Sequence, residues 1–390
     1  MAATITFFPV DCGDMTLIQL ESGRTILIDI NIRAVTDGVR DVAKDLRDRL
    51  DTDAKGYPYV DVMLLSHPDQ DHCRGLVEHF HLGPLADYKK PQDGQAKKIV
   101  IREMWSSPMV FRRASKNHTL CEDAKAWNKE AKRRVQLVRD GKEIGDGCRI
   151  LIMGEDEDGK TDDLTSILVK PGETIPTVNG STDSTVSALV LAPMPKSEDA
   201  EEEDKKVKNH SSVITRFSIA HEETKDACLF LTGGDAEVAI WERLWRDNKK
   251  AVGNLQYDLL QTPHHCSWHS LSWDSWSKKG KDAEVSKDAR KALGQTRSGA
   301  YIVASSKEIS DDNSDPPCIR AKTEYESILK GVGGKFVNTA DHKDKNGPVP
   351  MEFGVTANGP ALRAVSKKSA IPASEGALSI GSQPLFHGRE

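Results

Sequence analysis

Residues 66–75 read SHPDQDHCRG. Four groups able to ligate a metal, His67, Asp69, Asp71 and His72, fall within this short run. In a tight loop alternate side chains converge, so such a cluster can feed two adjacent ions, and imidazole with carboxylate suits zinc, manganese or iron. A polar turn with helix-capping aspartates would explain one or two of these residues, but not four at this density. The run follows residues 60–65, VDVMLL, which are apolar except for Asp61, as in a buried strand. Ligands at the exit of a central strand are placed where α/β and mixed sheets put chemistry.

Upstream, residues 5–10, 15–20 and 25–30 read as three short strands, with turns at 12–14 and 22–23. The opening MAATITFFPV lacks a basic leader and a long apolar stretch and reads as a first strand. Residues 34–50 place Val, Ala and Leu at helical spacing among charges. Downstream, 98–104 reads as a strand, 121–139 as a charged helix and 155–184 as an insertion or surface loop. Strands follow at 186–191, 213–219 and 227–231, the last two as a hairpin, and then a helix at 237–246. Late strands at 301–305 and 335–338 flank a helix at 320–330. The charged run 197–208 reads as a solvated link, and the Ser-, Pro- and Gly-rich tail as poorly ordered. No internal repeat is visible.

At 390 residues the chain can hold one large α/β domain with insertions or two ordinary domains. With 37% hydrophobic and 29% charged residues it reads as globular. Its longest apolar runs, such as 150–153 and 188–193, cannot span a bilayer, so no membrane partner and a cytoplasmic location are expected. The seven cysteines are scattered singly, which argues against a disulfide framework and excludes a zinc ribbon. Cys73 and Cys266 stand out because each adjoins a histidine of interest. The net charge of -6 gives no global attraction to nucleic acid, though it leaves room for a local basic face.

The pattern HxDxDH at 67–72 resembles the variant signature of the metallo-β-lactamase superfamily, with Asp69 where histidine is commoner. More narrowly, the chain resembles the hydrolase domain of the ComEC competence protein and its free-standing relatives over roughly residues 4–32, 60–82 and 186–357. FFPVDCGDMTLIQLESGRTILIDI (7–30) resembles that family's opening, and LVLAPMP (189–195) with NHSSV (209–213) resembles its next strands. LFLTGGDAE (229–237) and LLQTPHHCSWHS (259–270) resemble its Leu-Thr-Gly-Asp and His-His-Gly-Ser elements. The resemblance implies an α/β (α+β) fold: an αββα metallo-β-lactamase sandwich of two mixed β-sheets flanked by helices, with metals at one edge. One domain over 1–363 is expected, carrying a central insertion at about 84–180, followed by a flexible tail over 364–390. Departures are Ile30-Asn31 in place of a glycine pair, Cys266 in place of glycine, and Asp315-Pro316-Pro317 where relatives often have His-Pro.

The resemblance assigns His67 and Asp69 to a first metal. Asp71, His72 and one of His264 or His265, with His265 favoured, go to a second, and Asp235 bridges both. Either Asn209 or His210 fills a further slot, on metal or on substrate. One histidine of the 264–265 pair is expected to be structural or a proton donor. Asp29 is read as a loop-organising carboxylate, and Asp11 and Asp14 as turn formers. Three carboxylates against two divalent ions leave a bare centre near +1, and so oxygen-rich a site tolerates manganese or magnesium better than a histidine-rich one; zinc is still the first expectation and manganese the second.

Such a centre predicts hydrolysis by a hydroxide held between two metals, with Asp71 as the first test of activity and His264 or His269 as proton donor. Trp268, Trp273 and Trp276, followed by Lys278, Lys279, Lys281, Lys287, Arg290, Lys291 and Arg297, resemble a groove for single-stranded DNA or RNA: rings to stack bases, charges to follow phosphates. Arg112, Arg113, Lys116, Lys132, Arg133 and Arg134 could add a second patch. The competing reading is a solvated helix over packed tryptophans. Three functions are therefore expected to compete: a phosphodiesterase or nuclease; a hydrolase of a small ester, thioester or lactone; and an effector subunit, as in an anti-phage assembly, active only with protein partners.

Overall fold

The computed structural model describes residues 2–36, 38–92, 94–112, 119–195 and 208–365, with backbone only for 112, 208 and 210. Arg113, Lys116, most of the 197–208 link and the tail from 366 lie outside the described residues.

Apolar residues alternate through the opening strands so that both faces are buried. In one direction point Ile5, Phe7, Ile18, Ile26, Ile28, Val62 and Leu64; in the other point Phe8, Leu17, Leu27, Val60 and Met63. A sheet with two apolar faces must be covered twice, and the chain does so with a second sheet and with helices. The first sheet runs, edge to edge, Gly359–Leu362, Met351–Thr356, Thr4–Phe7, Thr16–Gln19, Thr25–Ile28, Tyr59–Leu64, Ile99–Ser106, Arg149–Met153, Leu168–Val169. Pairing is antiparallel up to Thr25–Ile28 and parallel beyond it.

The second sheet is ordered Thr174–Ile175, Val186–Ala192, Ile214–His221, Thr224–Leu231, Tyr257–Gln261, Thr296–Ala304, Lys335–Asn338, and it too turns from antiparallel to parallel. Phe7, Trp105, Phe217, Phe230 and Phe353 fill the space between the sheets. Helix Glu122–Arg139 covers the outer face of the first sheet through Ala124, Trp127 and Ala131. Helices Val238–Asn248, Lys287–Leu293 and Ile319–Lys330 cover the outer face of the second. The architecture is an αββα sandwich of two mixed sheets.

Two sequence expectations change. The segment 84–180 is not added to the sandwich: Ile99–Ser106 and Arg149–Met153 are interior strands of the first sheet, and Thr174–Ile175 joins the second. The helix expected over 34–50 shortens to Val42–Arg47, because Gly38 takes a left-handed φ of 80° and Asp41 caps the helix by accepting from Lys44 N. Among the described residues, no helix is long and apolar enough to cross a membrane.

Glu103 lies in the strand Ile99–Ser106 and is 3% exposed. Burial pushes its carboxyl up to about 6 from an ordinary 4.5, against backbone N–H groups of Asn179 and Gly180 and the charge of Arg149. The folded state therefore binds the proton more tightly than the unfolded one, and stability falls as pH rises from about 4.5 through 6. A shift of this size corresponds to about 2 kcal/mol. Denaturant unfolding at pH 4 and pH 8 should show Glu103→Gln gaining that amount over the parent at the higher pH. A pH-independent difference between the two proteins would remove Glu103 as the cause.

Candidate metal centre

One edge of the sandwich gathers the ends of five strands. Thr25–Ile28 and Tyr59–Leu64 end there and lead into Asp29 and the 66–75 loop; Thr16–Gln19 begins there, just after Asp14. From the second sheet, Thr224–Leu231 leads to Asp235 and Tyr257–Gln261 to the histidine pair. Val213 N donates to Ser66 O at 2.9 Å and ties the sheets together at this edge.

Asp235, 3% exposed, occupies the middle. One of its carboxylate oxygens lies 2.9 Å from His72 Nε2 and 3.5 Å from His265 Nε2; the other lies 3.6 Å from His67 Nδ1. Asp71 Oδ2 is 3.3 Å from His265 Nε2, and Asp69 Oδ1 is 3.9 Å from His67 Nδ1. Ligand atoms therefore converge in three sets that share His72: His67, His72 and Asp235; Asp71, His72 and His265; and Asp14, Asp29 and His72. The nitrogens of His265 approach Asp14 and Asp71 without hydrogen-bond alignment, an arrangement that suits a cation between them. Six buried or half-buried imidazoles and carboxylates facing one point fit divalent ions chemically.

Two further carboxylates hold the imidazoles. Asp29 accepts from Ser66 N at 2.7 Å, from the Ser66 hydroxyl, and from His72 Nδ1 at 2.9 Å. Asp14, 2% exposed, puts Oδ1 3.3 Å from His265 Nδ1. Asp29 fixes the His72 ring so that Nε2 faces the cluster, the carboxylate–histidine arrangement that supports metal ligands, and Asp14 places its charge against the far nitrogen of His265. The organising role read for Asp29 matches its contacts. Asp14 is more than a turn former. Its signal in the sequence was its place at the base of a strand antiparallel to the one that precedes the ligand loop. Gly13 is required beside it, since a Cβ there would lie 2.2 Å from Asn31 Nδ2 and 2.8 Å from Asp71 O.

Burial opposes charge on His72 and His265, but their carboxylate neighbours outweigh it and raise both well above the usual imidazole range. Asp235 and Asp29 do this for His72; Asp14, Asp71 and Asp235 do it for His265. Burial likewise opposes ionisation of Asp235, yet the imidazoles of His72, His264 and His67 hold it well below the carboxylate range. A cation entering the cluster would take over this balancing role and displace protons, so its affinity should weaken as pH is lowered.

His264 lies beside the cluster, 18% exposed, with Nδ1 3.9 Å from Glu237 Oε1. His264, His265 and Cys266 all have left-handed φ values, 51°, 53° and 72°. Non-glycine residues in this region cost about 1–3 kcal/mol each and persist where surrounding structure enforces them, often at functional sites. Asn209 is buried and donates to Glu237 at 2.8 Å rather than reaching the imidazoles. His210 is described by its backbone alone. His269 is 43% exposed and 3.8 Å from Asp315.

The proposed base-stacking platform is corrected at Trp268. It is fully buried in the core outside the second sheet, packed edge-on against Trp276, and no base can reach it. Trp273 remains 51% exposed, and Lys278 is exposed. Lys279, Arg290, Lys291 and Arg297 pair with Asp274, Glu324, Asp288 and Asp258. In the second patch Arg134 is 1% exposed and Arg133 bonds Glu130, so both serve the interior.

A cavity of about 450 Å³ opens beside the cluster, lined by Asp69, Asp71, Arg74, Thr119, Cys12 and Cys121, among others. Cys73 Sγ, whose residue adjoins His72, is 3.5 Å from Cys121 Sγ. The hydrogen bond from Cys73 holds Cys121 down to about 6 against burial, helped by Ala124 N–H, while the Cys73 thiol is pushed up. Iodoacetamide at pH 7 should therefore label Cys121 on the order of tenfold faster than the other cysteines. Peptide mass mapping with Cys12 labelled first would refute this.

Neither a protein-family model nor a curated protein sequence matches the chain. Two solved structures overlap it distantly. A novel metallo hydrolase, Igni18, from the hyperthermophilic archaeon Ignicoccus hospitalis shares 13% identity over 91% of this chain and 100% of its own, with a TM-score of 0.36. Unliganded yeast PDE1 shares 11% identity over 86% of this chain and 97% of its own, with a TM-score of 0.39. The functional reading rests on this chain's own residues rather than on these overlaps.

Proposed function

We propose that this chain is a metal-dependent hydrolase that cleaves phosphodiesters with two divalent ions. The observation that carries the reading is Asp235, a buried carboxylate with three imidazole nitrogens within 3.6 Å, shared between both of its oxygens. His67 and Asp69 would hold one ion, His72, Asp71 and His265 the other, and Asp235 both. Zinc is the first expectation and manganese the second. The pair would supply a water activated at neutral pH and polarise the bond it attacks.

The chain's residues do the rest. Asp29 holds His72 with Nε2 inward, and Asp14 sets a carboxylate 3.3 Å from His265 Nδ1. His264, at the exposed rim against Glu237, is placed to pass a proton to the leaving oxygen. Three carboxylates leave two ions with net positive charge, which favours an anionic ester. A neutral ester or lactone is the second reading, favoured by the pairing of Lys279, Arg290, Lys291 and Arg297 with carboxylates.

Elemental analysis should be combined with turnover of bis(p-nitrophenyl) phosphate, DNA, RNA, a thioester and a lactone, comparing the natural chain with Asp71→Ala. Phosphodiester cleavage lost in Asp71→Ala supports the proposal, and a steep fall with salt points to nucleic acid. Full metal occupancy with cleavage of only the neutral ester overturns it.

A further inference from the structure

Arg74 is a cation left over beside the cluster. It stands three residues after Asp71 and five after Asp69, and it lines the same cavity as both. An ordinary surface arginine so close to two carboxylates pairs with one of them. Here Asp71 is turned to His265 at 3.3 Å and Asp69 lies on the His67 side at 3.9 Å. Among the described residues, the Arg74 side chain has a single hydrogen bond, Nη2 to the neutral Gln70 Oε1 at 3.3 Å, and its buried Nε has no hydrogen-bond partner.

The base of this side chain is fixed. Ile32 N donates to Arg74 O at 2.9 Å, and residue 74 bridges to Asn31 at the end of the first sheet. Gly75 follows with φ 91°, where a Cβ would come within 2.8 Å of Ile32 Cβ, so the chain turns sharply and cannot carry the arginine elsewhere. A rigid base with unsatisfied donors at the wall of a cavity is a binding feature: a guanidinium offers a planar fork that matches phosphate oxygens two at a time.

Resting on the phosphodiesterase reading, we propose that Arg74 forms an anion subsite that recognises a second phosphate next to the scissile one. The substrate class is thereby a nucleotide chain or a nucleotide carrying an additional phosphate, rather than an isolated diester. The scissile group's charge would be met by the ions that Asp69, Asp71 and Asp235 are proposed to hold. Arg74, outside that set, meets the neighbouring charge. It is a specificity residue and takes no part in bond breaking.

The test reads binding without turnover. Calorimetric titration of the metal-loaded full chain compares thymidine 3′,5′-bisphosphate with thymidine 5′-phosphate, neither of which is a phosphodiester. The natural chain should prefer the bisphosphate by about tenfold or more, a preference that falls close to one in Arg74→Gln and is partly kept in Arg74→Lys. Equal affinities in the natural chain, no binding of either, or an unchanged ratio in Arg74→Gln overturns the subsite. Metal content and thermal unfolding of the variants should match the parent. In parallel, Arg74→Gln should raise KM for the dinucleotide pTpT with little change in kcat, and should leave bis(p-nitrophenyl) phosphate within about twofold. If no phosphodiester is cut while the nucleotide ratio behaves as stated, the phosphodiesterase reading fails and the anion subsite stands; the reverse pattern sinks the subsite alone.

Discussion

Asp235→Ala should lower phosphodiester turnover by about 10³-fold or more, because the lost charge stabilisation amounts to several kcal/mol and each 1.36 kcal/mol is tenfold. The size follows from its position. Among the described residues it is the one carboxylate within 3.6 Å of His67, His72 and His265 together, so its removal would take a ligand from both ions of the proposed centre and leave three buried imidazoles facing each other. Metal content by elemental analysis should fall in parallel. Asp29→Asn gives a graded comparison: it keeps the shape of the group that holds His72 Nδ1 but weakens its hold, and a loss of about 10–100-fold is expected. Asp235→Ala protein that retains two equivalents of metal and near-parental rates would eliminate the bridging role.

The second large effect is on stability. Arg134 lies 1% exposed in helix Glu122–Arg139 and reaches into the first sheet, donating to Ile101 O and Arg149 O, both at 3.0 Å. Its Nε donates at 2.8 Å to Glu130, which is itself buried and accepts from Gly83 N. Arg134→Met keeps the volume but leaves two strand carbonyls without their donor and takes from the buried Glu130 its buried cation, with Arg133 and Gly83 N still on the carboxylate. Removing one partner of such a pair costs about 3–5 kcal/mol. Urea unfolding should show that loss. Glu130→Gln combined with Arg134→Met should recover part of it, because the buried carboxylate charge is then gone and the cation left over, Arg133, is a quarter exposed. A cost below about 1 kcal/mol would mean that water or Arg133 takes over the contacts.

How far the sequence could be read depended on whether a signal was local. Alternation within 5–10, 15–20 and 25–30 located strands to within three residues, since a period of two reports burial directly. The strand at 335–338 has the bounds expected of it. Four ligand types packed into residues 67–72 announced a site because no capping role needs so many. What failed was tertiary. The 84–180 stretch has few apolar runs of its own, yet Ile99–Ser106 is clamped between two strands of the first sheet, a pairing that local pattern does not encode. Trp268 looked like part of a cationic aromatic groove because composition carries no information about which way a ring points. Asp14 looked like a turn residue because its partner, His265, lies far along the chain and meets it only when the sheets stack. Helical spacing over 34–50 was correct only where Asp41 could start the helix.

The six inward-facing groups do not belong to one half of the sandwich. His67, Asp69, Asp71 and His72 hang from one layer, Asp235 and His265 from the other, and the space between those layers is filled by side chains such as Phe217 and Phe230. Any cation held there would work as a rivet through two plates. Its grip is then inseparable from the spacing of those plates, so thinning the aromatic filling far from the rim would loosen the rivet, and driving it home would make the whole stack harder to melt.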